Sequence, residues 1–222
     1  MKGEKRMKSC LVVGLGRFGY AVARELCEMG VEVLGIDEND DVVSRSAAHI
    51  THAVAGDAKD EAVLHAIGAR NFDCAVVAMA GDVESSVMVT ILLKELGVKQ
   101  IIAKASGEMH AKILRKVGAD TTIFPEDDMG KRLAQKLASS NVLDFIELSD
   151  EYSIVEIGTP AAWSGRTIKQ LDVRAKYGIN ILAIRDRTDR ENINISPSAN
   201  YVLNEGDVLV IVGSNEEIDK IK

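Results

Sequence analysis

Starting at Cys10, the stretch CLVVGLGRFGYAVARELCEMGVEVLGID restricts what the chain can fold into more than any other segment. The apolar run Leu11–Val13 leads into Gly14-x-Gly16-x-x-Gly19, then an amphipathic helix, a second apolar run and Asp37. The glycines have separate tasks in such a unit. Gly14 allows the tight turn, Gly16 lets a pyrophosphate approach the backbone, and Gly19 lets helix and strand pack closely. The N–H groups and positive dipole end of the helix favour phosphate. Asp37, at the end of the next strand, is placed to accept from both ribose hydroxyls. Strand, turn, helix, strand and acid together predict an adenine-nucleotide site. The carboxylate repels a ribose 2′-phosphate, so NADP is not expected; NAD, ATP, ADP and AMP share the ribose and are not distinguished.

Strand and helix patterns alternate from Ser9 to about Ser140. Predicted strands are Ser9–Val13, Val31–Ile36, Ile50–Ala55, Cys74–Met79, Gln100–Ala103 and Thr121–Phe124. Between them fall helices around Tyr20–Met29, Asp41–Ala47, Asp60–Ile67, Val83–Leu96 and His110–Val117. Short, nearly all-apolar strands belong to a parallel sheet covered on both faces. Right-handed crossovers then give an α/β fold, a doubly wound parallel Rossmann sheet of order 3-2-1-4-5-6. A sixth helix starts near Pro125, with Glu126-Asp127-Asp128 complementing its dipole. Met129, Leu133 and Leu137 give it an apolar stripe, packed either on its own sheet or on another subunit.

The pattern changes after Asn141. A strand at Tyr152–Ile157, a helix near Thr167–Tyr177, strands at Ile179–Arg185 and Ile193–Ser196, a turn at 204–207, a strand at Val208–Val212 and a short last helix predict a small α+β domain. The expected domains are therefore 1–140 and 141–222. A length of 222 residues suits two such units.

Composition removes several classes of function. With 34 acidic against 27 basic residues the formal charge is −7, so non-specific binding to nucleic acid or anionic lipid is not expected. Cys10, Cys27 and Cys74 lie in apolar stretches without a CxxC spacing, which predicts buried reduced thiols and a cytosolic protein. No apolar run approaches the roughly 18–20 residues of a membrane span, and MKGEKRMKS lacks a signal-peptide core. Any membrane role is expected to run through a partner.

Further candidates line the predicted crevice. Arg17 follows the second glycine, where a guanidinium can bond a terminal phosphate; the alternative is a solvated arginine at a helix start. Asp57 ends the third strand and can meet the exocyclic amine of adenine or cap a helix. Ala80, in Met79-Ala80-Gly81, offers backbone beside the nucleotide, and Lys104 ends the fifth strand. Glu126 follows the sixth; beside phosphates it needs a cation such as magnesium, and otherwise it complements the helix dipole. His49, His52, His65 and His110 read as surface or capping residues. Hydride transfer needs an acid–base group, and no such constellation is evident, so an enzyme is not expected.

Gly14-Leu15-Gly16-Arg17-Phe18-Gly19, GADTTIFPEDDMGKRLAQKL and SNVLDFIELSDEYSIVEI resemble the cytosolic regulatory subunits of bacterial Trk/Ktr potassium-uptake systems, proteins of the RCK class. The resemblance to KtrA- and TrkA-type subunits spans nearly the whole chain. It implies a nucleotide-binding N-terminal RCK domain, a C-terminal RCK domain, and dimers that assemble into an octameric ring under a KtrB- or TrkH-like membrane channel. It further implies a cytoplasmic protein, peripheral to the membrane through that partner, in which ATP and ADP favour different ring shapes; NAD(H) binding occurs in the wider family. Carried over by position, Arg17 meets the terminal phosphate, Asp37 the ribose, and Glu126 a cation between subunits beside ATP. Phe18, Asp57 and Lys104 fall in the same crevice. In the second domain Ile168, Val173, Arg174, Ile179, Asn180, Ile181 and Pro197 resemble a cyclic di-AMP pocket at a two-fold interface. Two readings compete with this one: an NAD-dependent oxidoreductase, and a nucleotide-sensing adaptor of another channel.

Overall fold

The computed structural model describes residues 7–79, 81–138, 142–149, 151–186 and 192–221. It divides into two compact units, 1–125 and 126–222. The division falls at Pro125/Glu126, so the sixth helix is grouped with the second unit and not, as in the expected 1–140 domain, with the first.

In the first unit β1 (Ser9–Val13), α1 (Arg17–Glu28), β2 (Glu32–Asp37), α2 (Asp40–Ser46), β3 (His52–Ala55), α3 (Glu61–Ala66), β4 (Cys74–Val77), α4 (Val83–Glu95), β5 (Ile101–Lys104), α5 (Glu108–Val117) and β6 (Thr121–Ile123) follow in order. The strands form one parallel sheet, β3-β2-β1-β4-β5-β6, the predicted order. Successive strand residues point to opposite faces, and the core divides accordingly. Leu11, Val13, Ala75 and Val77 pack with Leu64, Leu93 and Leu114 on one face. Cys10, Val12, Cys74 and Val76 pack with Ala23, Val33 and Val43 on the other. Both faces are covered at the centre of the sheet, which is why β1 and β4 are almost wholly apolar, whereas the edge strands β3 and β6 carry His52, Thr121 and Thr122.

Helix starts follow local chemistry. Asn39 caps α2 and Asp60 caps α3, each side chain accepting a first-turn N–H at 2.8–3.2 Å. One histidine departs from expectation. His110 is 5% exposed and links α5 to α4. The Ser106 N–H donates to Nδ1 at 3.2 Å, which leaves Nε2–H to donate to the Ser86 hydroxyl at 2.8 Å. Ser86 donates onward to the Val83 carbonyl at 3.0 Å. With its polar atoms satisfied the ring can be buried, and a polar letter in the sequence concealed that. Burial holds the His110 pKa below its ordinary value.

The second unit contains α6 (Pro125–Ala138), β7 (Val142–Glu147), β8 (Tyr152–Gly158), α7 (Ile168–Leu171), α8 (Val173–Tyr177), β9 (Asn180–Asp186), β10 (Ile193–Asn194), β11 (Asp207–Ser214) and α9 (Asn215–Asp219). Its sheet is antiparallel, ordered β10-β9-β11-β8-β7. Val155, Ile157, Leu171, Leu209 and Ile211 fill one core with Trp163, whose ring lies 5.0 Å from that of Tyr177. The sequence reading contains no β7. The predicted helix over Thr167–Tyr177 is two short ones. Thr167 and Gln170 make a capping box at the start of α7, and Asp172, at φ 48°, breaks the run. Along α6, Met129, Leu133 and Leu137 are 61%, 54% and 76% exposed.

Candidate nucleotide-binding site

The ends of β1 and β2 build the site. Gly14 turns the chain at φ 89°, in the left-handed region that favours glycine, and donates to the Ile36 carbonyl at 2.8 Å. A Cβ at Gly19 would overlap the Gly14 carbonyl oxygen, so glycine there sets how closely α1 approaches the turn. Gly16 is the reverse case: a Cβ would meet nothing within 4 Å. From that open position α1 begins, with no side-chain cap and no acid in its first turn. Its leading N–H groups have no intrahelical acceptor, and the helix dipole adds partial positive charge. A diphosphate fits this cradle; a buried apolar group would not.

Asp37 is tied to the same turn. Its Oδ2 accepts from the Leu15 N–H at 2.7 Å and its Oδ1 from the Asn39 N–H at 3.0 Å. The half-buried carboxylate thus fixes the glycine turn against the end of β2 and retains lone pairs for ribose hydroxyls. Nothing in the sequence signalled the Leu15 contact. Phe18 and Lys104 also come together, the ammonium 5.5 Å from the ring centroid, which joins the end of β5 to the first turn of α1. Arg17 is the first residue of α1 and is exposed.

Asp57 lies in the turn after β3. Its Oδ1 accepts the Lys59 N–H at 2.8 Å; the Lys59 ammonium is 3.7 Å from its Oδ2 and 3.2 Å from Glu38. The helix cap belongs to Asp60 instead. Asp82 caps α4 through the Ser85 N–H and hydroxyl, which hold its carboxyl below the usual range. Ala80 lies outside the described residues.

Glu126 stands exposed in the first turn of α6, beside Asp127 and Asp128, in the second unit. Among the described residues no three His, Cys, Asp or Glu side chains gather as a metal site. The candidates for the second ligand divide by burial. Val173 and Ile179 are core residues, Ile168 and Ile181 pack against that core, Pro197 is half-buried, and Arg174 and Asn180 are exposed. No helix among the described residues is long and apolar enough to cross a membrane.

The TrkA-N domain family matches residues 10–125 and the TrkA-C domain family residues 152–222. The chain belongs to this TrkA-N/TrkA-C family. The Ktr system potassium uptake protein C of Bacillus subtilis is 44% identical over 97% of this chain and 96% of its own length. The Ktr system potassium uptake protein A of the same organism is 43% identical over 99% and 98%. Among solved structures the GsuK channel superposes with a TM-score of 0.69 at 19% identity, covering 97% of this chain and 39% of the channel. The GsuK channel bound to NAD gives 0.54 at 26% identity, over 99% and 39%. This chain therefore spans well under half the length of those channel chains.

Proposed function

We propose that this chain is the regulatory subunit of a potassium-uptake system, holding an adenine nucleotide in its first unit and cyclic di-AMP in its second. The observation that carries the reading is the Gly16 cradle at the uncapped start of α1, with Asp37 bonded to the same turn. An identity of 43–44% over nearly the full length of two Ktr uptake proteins supports the transport role and a membrane partner of potassium-channel type. In this reading the first-turn N–H groups of α1 bind the diphosphate, and Asp37 orients the ribose. Arg17, exposed beside the cradle, discriminates ATP from ADP by bonding the terminal phosphate. Glu126 is the residue for a magnesium ion accompanying ATP from a neighbouring subunit. The diphosphate of NAD(H) fits the same cradle, and the likeness to the NAD-bound GsuK channel supports it as a second nucleotide.

Arg174 and Asn180 are the exposed polar groups of the second site, on phosphate and base, with Ile168, Val173, Ile179, Ile181 and Pro197 as its apolar wall. A symmetric dinucleotide suits a two-fold pairing of second units, because each half meets the same groups. The exposed Met129, Leu133 and Leu137 stripe of α6 supports assembly into dimers and an octameric ring.

Asp37→Ala removes a charge-assisted contact worth about 1.5–3 kcal/mol, roughly 10–150-fold in affinity, for ATP and ADP alike. Calorimetric titration measures it; unchanged ADP affinity would remove Asp37 from the site.

A further inference from the structure

At the other end of the first strands lies a pair of cysteines that nucleotide binding does not use. Cys10 is the second residue of β1 and Cys74 the first of β4, and the parallel register sets their Cα atoms directly opposite. Neighbouring strands run about 4.7–4.9 Å apart. A disulfide accepts Cα separations of about 4.4–6.8 Å. Both side chains enter the same apolar cluster, with Val12 and Val76, so both sulfurs leave the sheet on one face. Each leans on a backbone carbonyl one residue on, at 3.7 Å for Cys10 and 3.8 Å for Cys74. Cys27 differs: it sits on α1, partly exposed, 3.4 Å from the Thr51 hydroxyl.

We propose that Cys10 and Cys74 form a redox-active dithiol that a peroxide closes to a disulfide, stapling β1 to β4. In the first step a Cys74 thiolate attacks one peroxide oxygen, the O–O bond breaks, and the departing hydroxide takes up a proton to leave as water. The sulfenic acid left on Cys74 is then attacked by the Cys10 sulfur. The S–S bond forms, the S–O bond breaks, and a second water departs with the Cys10 proton. Two thiols lose two electrons and two protons, and one peroxide becomes two waters. The order of attack follows from how the pair shares its protons. Hydrogen bonding to Cys74, together with burial, pushes the Cys10 thiol up, while the same bond lowers Cys74. Because both thiols are buried the reaction is slow, and Cys27 is attacked first.

The test treats the full chain with hydrogen peroxide under native conditions, then alkylates free thiols in denaturant and maps the peptides by mass. The expected product is a linked pair carrying Cys10 and Cys74, two hydrogens lighter than the separate peptides and restored by dithiothreitol. The cross-link should also raise the unfolding midpoint by roughly 5–10 °C. A Cys27→Ser variant keeps the pair and should give the same linked peptide, so the outcome does not depend on altering the core. The proposal is overturned if Cys10 and Cys74 remain alkylated after Cys27 is fully oxidised. It is equally overturned if they appear as separate sulfinic or sulfonic acids, or if Cys27 supplies the linked partner.

Discussion

At Asp37 one carboxylate carries both an observed contact and a proposed one, and only the proposed one was legible. Its place at the end of a strand after a glycine fingerprint announces a ribose ligand, whereas its bond to the Leu15 N–H depends on how the turn closes in space. Arg17 is singled out by position alone, as the exposed first residue of α1. If it bonds the terminal phosphate, Arg17→Ala should weaken ATP by roughly tenfold or more and ADP far less, from the worth of a charged hydrogen bond. Competition titrations give both constants, and equal losses would put Arg17 on phosphates the two nucleotides share. His110 was misread because a histidine's letter says nothing about partners; only the approach of Ser86 and Ser106 makes its burial tolerable. Its folded pKa is depressed, so below about pH 6.5 the unfolded chain binds the proton more readily. That contribution to stability is complete above this pH and shrinks as acid carries the pH down through the folded value. Urea unfolding from pH 8 to pH 5 should show the loss, and His110→Asn should flatten it; an equally steep profile in the variant would assign the loss to other groups.

Among the elements, the parallel strands were the easiest to read, because burial on both faces leaves an uninterrupted apolar run such as Cys10-Leu11-Val12-Val13. β7 was missed for the opposite reason. Val142–Glu147 mixes apolar and acidic residues and becomes a strand by pairing with β8, a contact no local pattern encodes. The break at Asp172 was hidden too, since a single left-handed residue between two helical turns leaves the helical period almost intact. For α6 the spacing of Met129, Leu133 and Leu137 was clear but the object it packs against was not. All three are exposed, and a second copy of the chain is the partner proposed above. Leu133→Glu should therefore change the folding stability of a single chain by no more than about 0.5 kcal/mol, as for other surface substitutions. The same substitution should disrupt assembly, because an unpaired carboxylate in an apolar contact is costly. Sedimentation of wild type and variant decides it: an oligomer reduced to smaller species is expected, and equal sizes would take α6 out of the interface.

At the scale of the whole molecule, regulation demands more than binding. A nucleotide shifts an equilibrium between arrangements only as far as it prefers one of them. ATP and ADP share adenine, ribose and diphosphate, so any difference in effect must come through the terminal phosphate, for which Arg17 and a cation held by Glu126 are the groups proposed above. The second ligand proposed for the C-terminal unit is bound by the same rule. The direct measurement is small-angle scattering of the intact protein saturated in turn with ADP and with ATP plus magnesium, saturation being confirmed by calorimetry. Two distinct profiles are predicted, with Arg17→Ala moving the ATP profile toward the ADP one at saturating nucleotide. Superimposable wild-type profiles with both nucleotides bound would contradict the account.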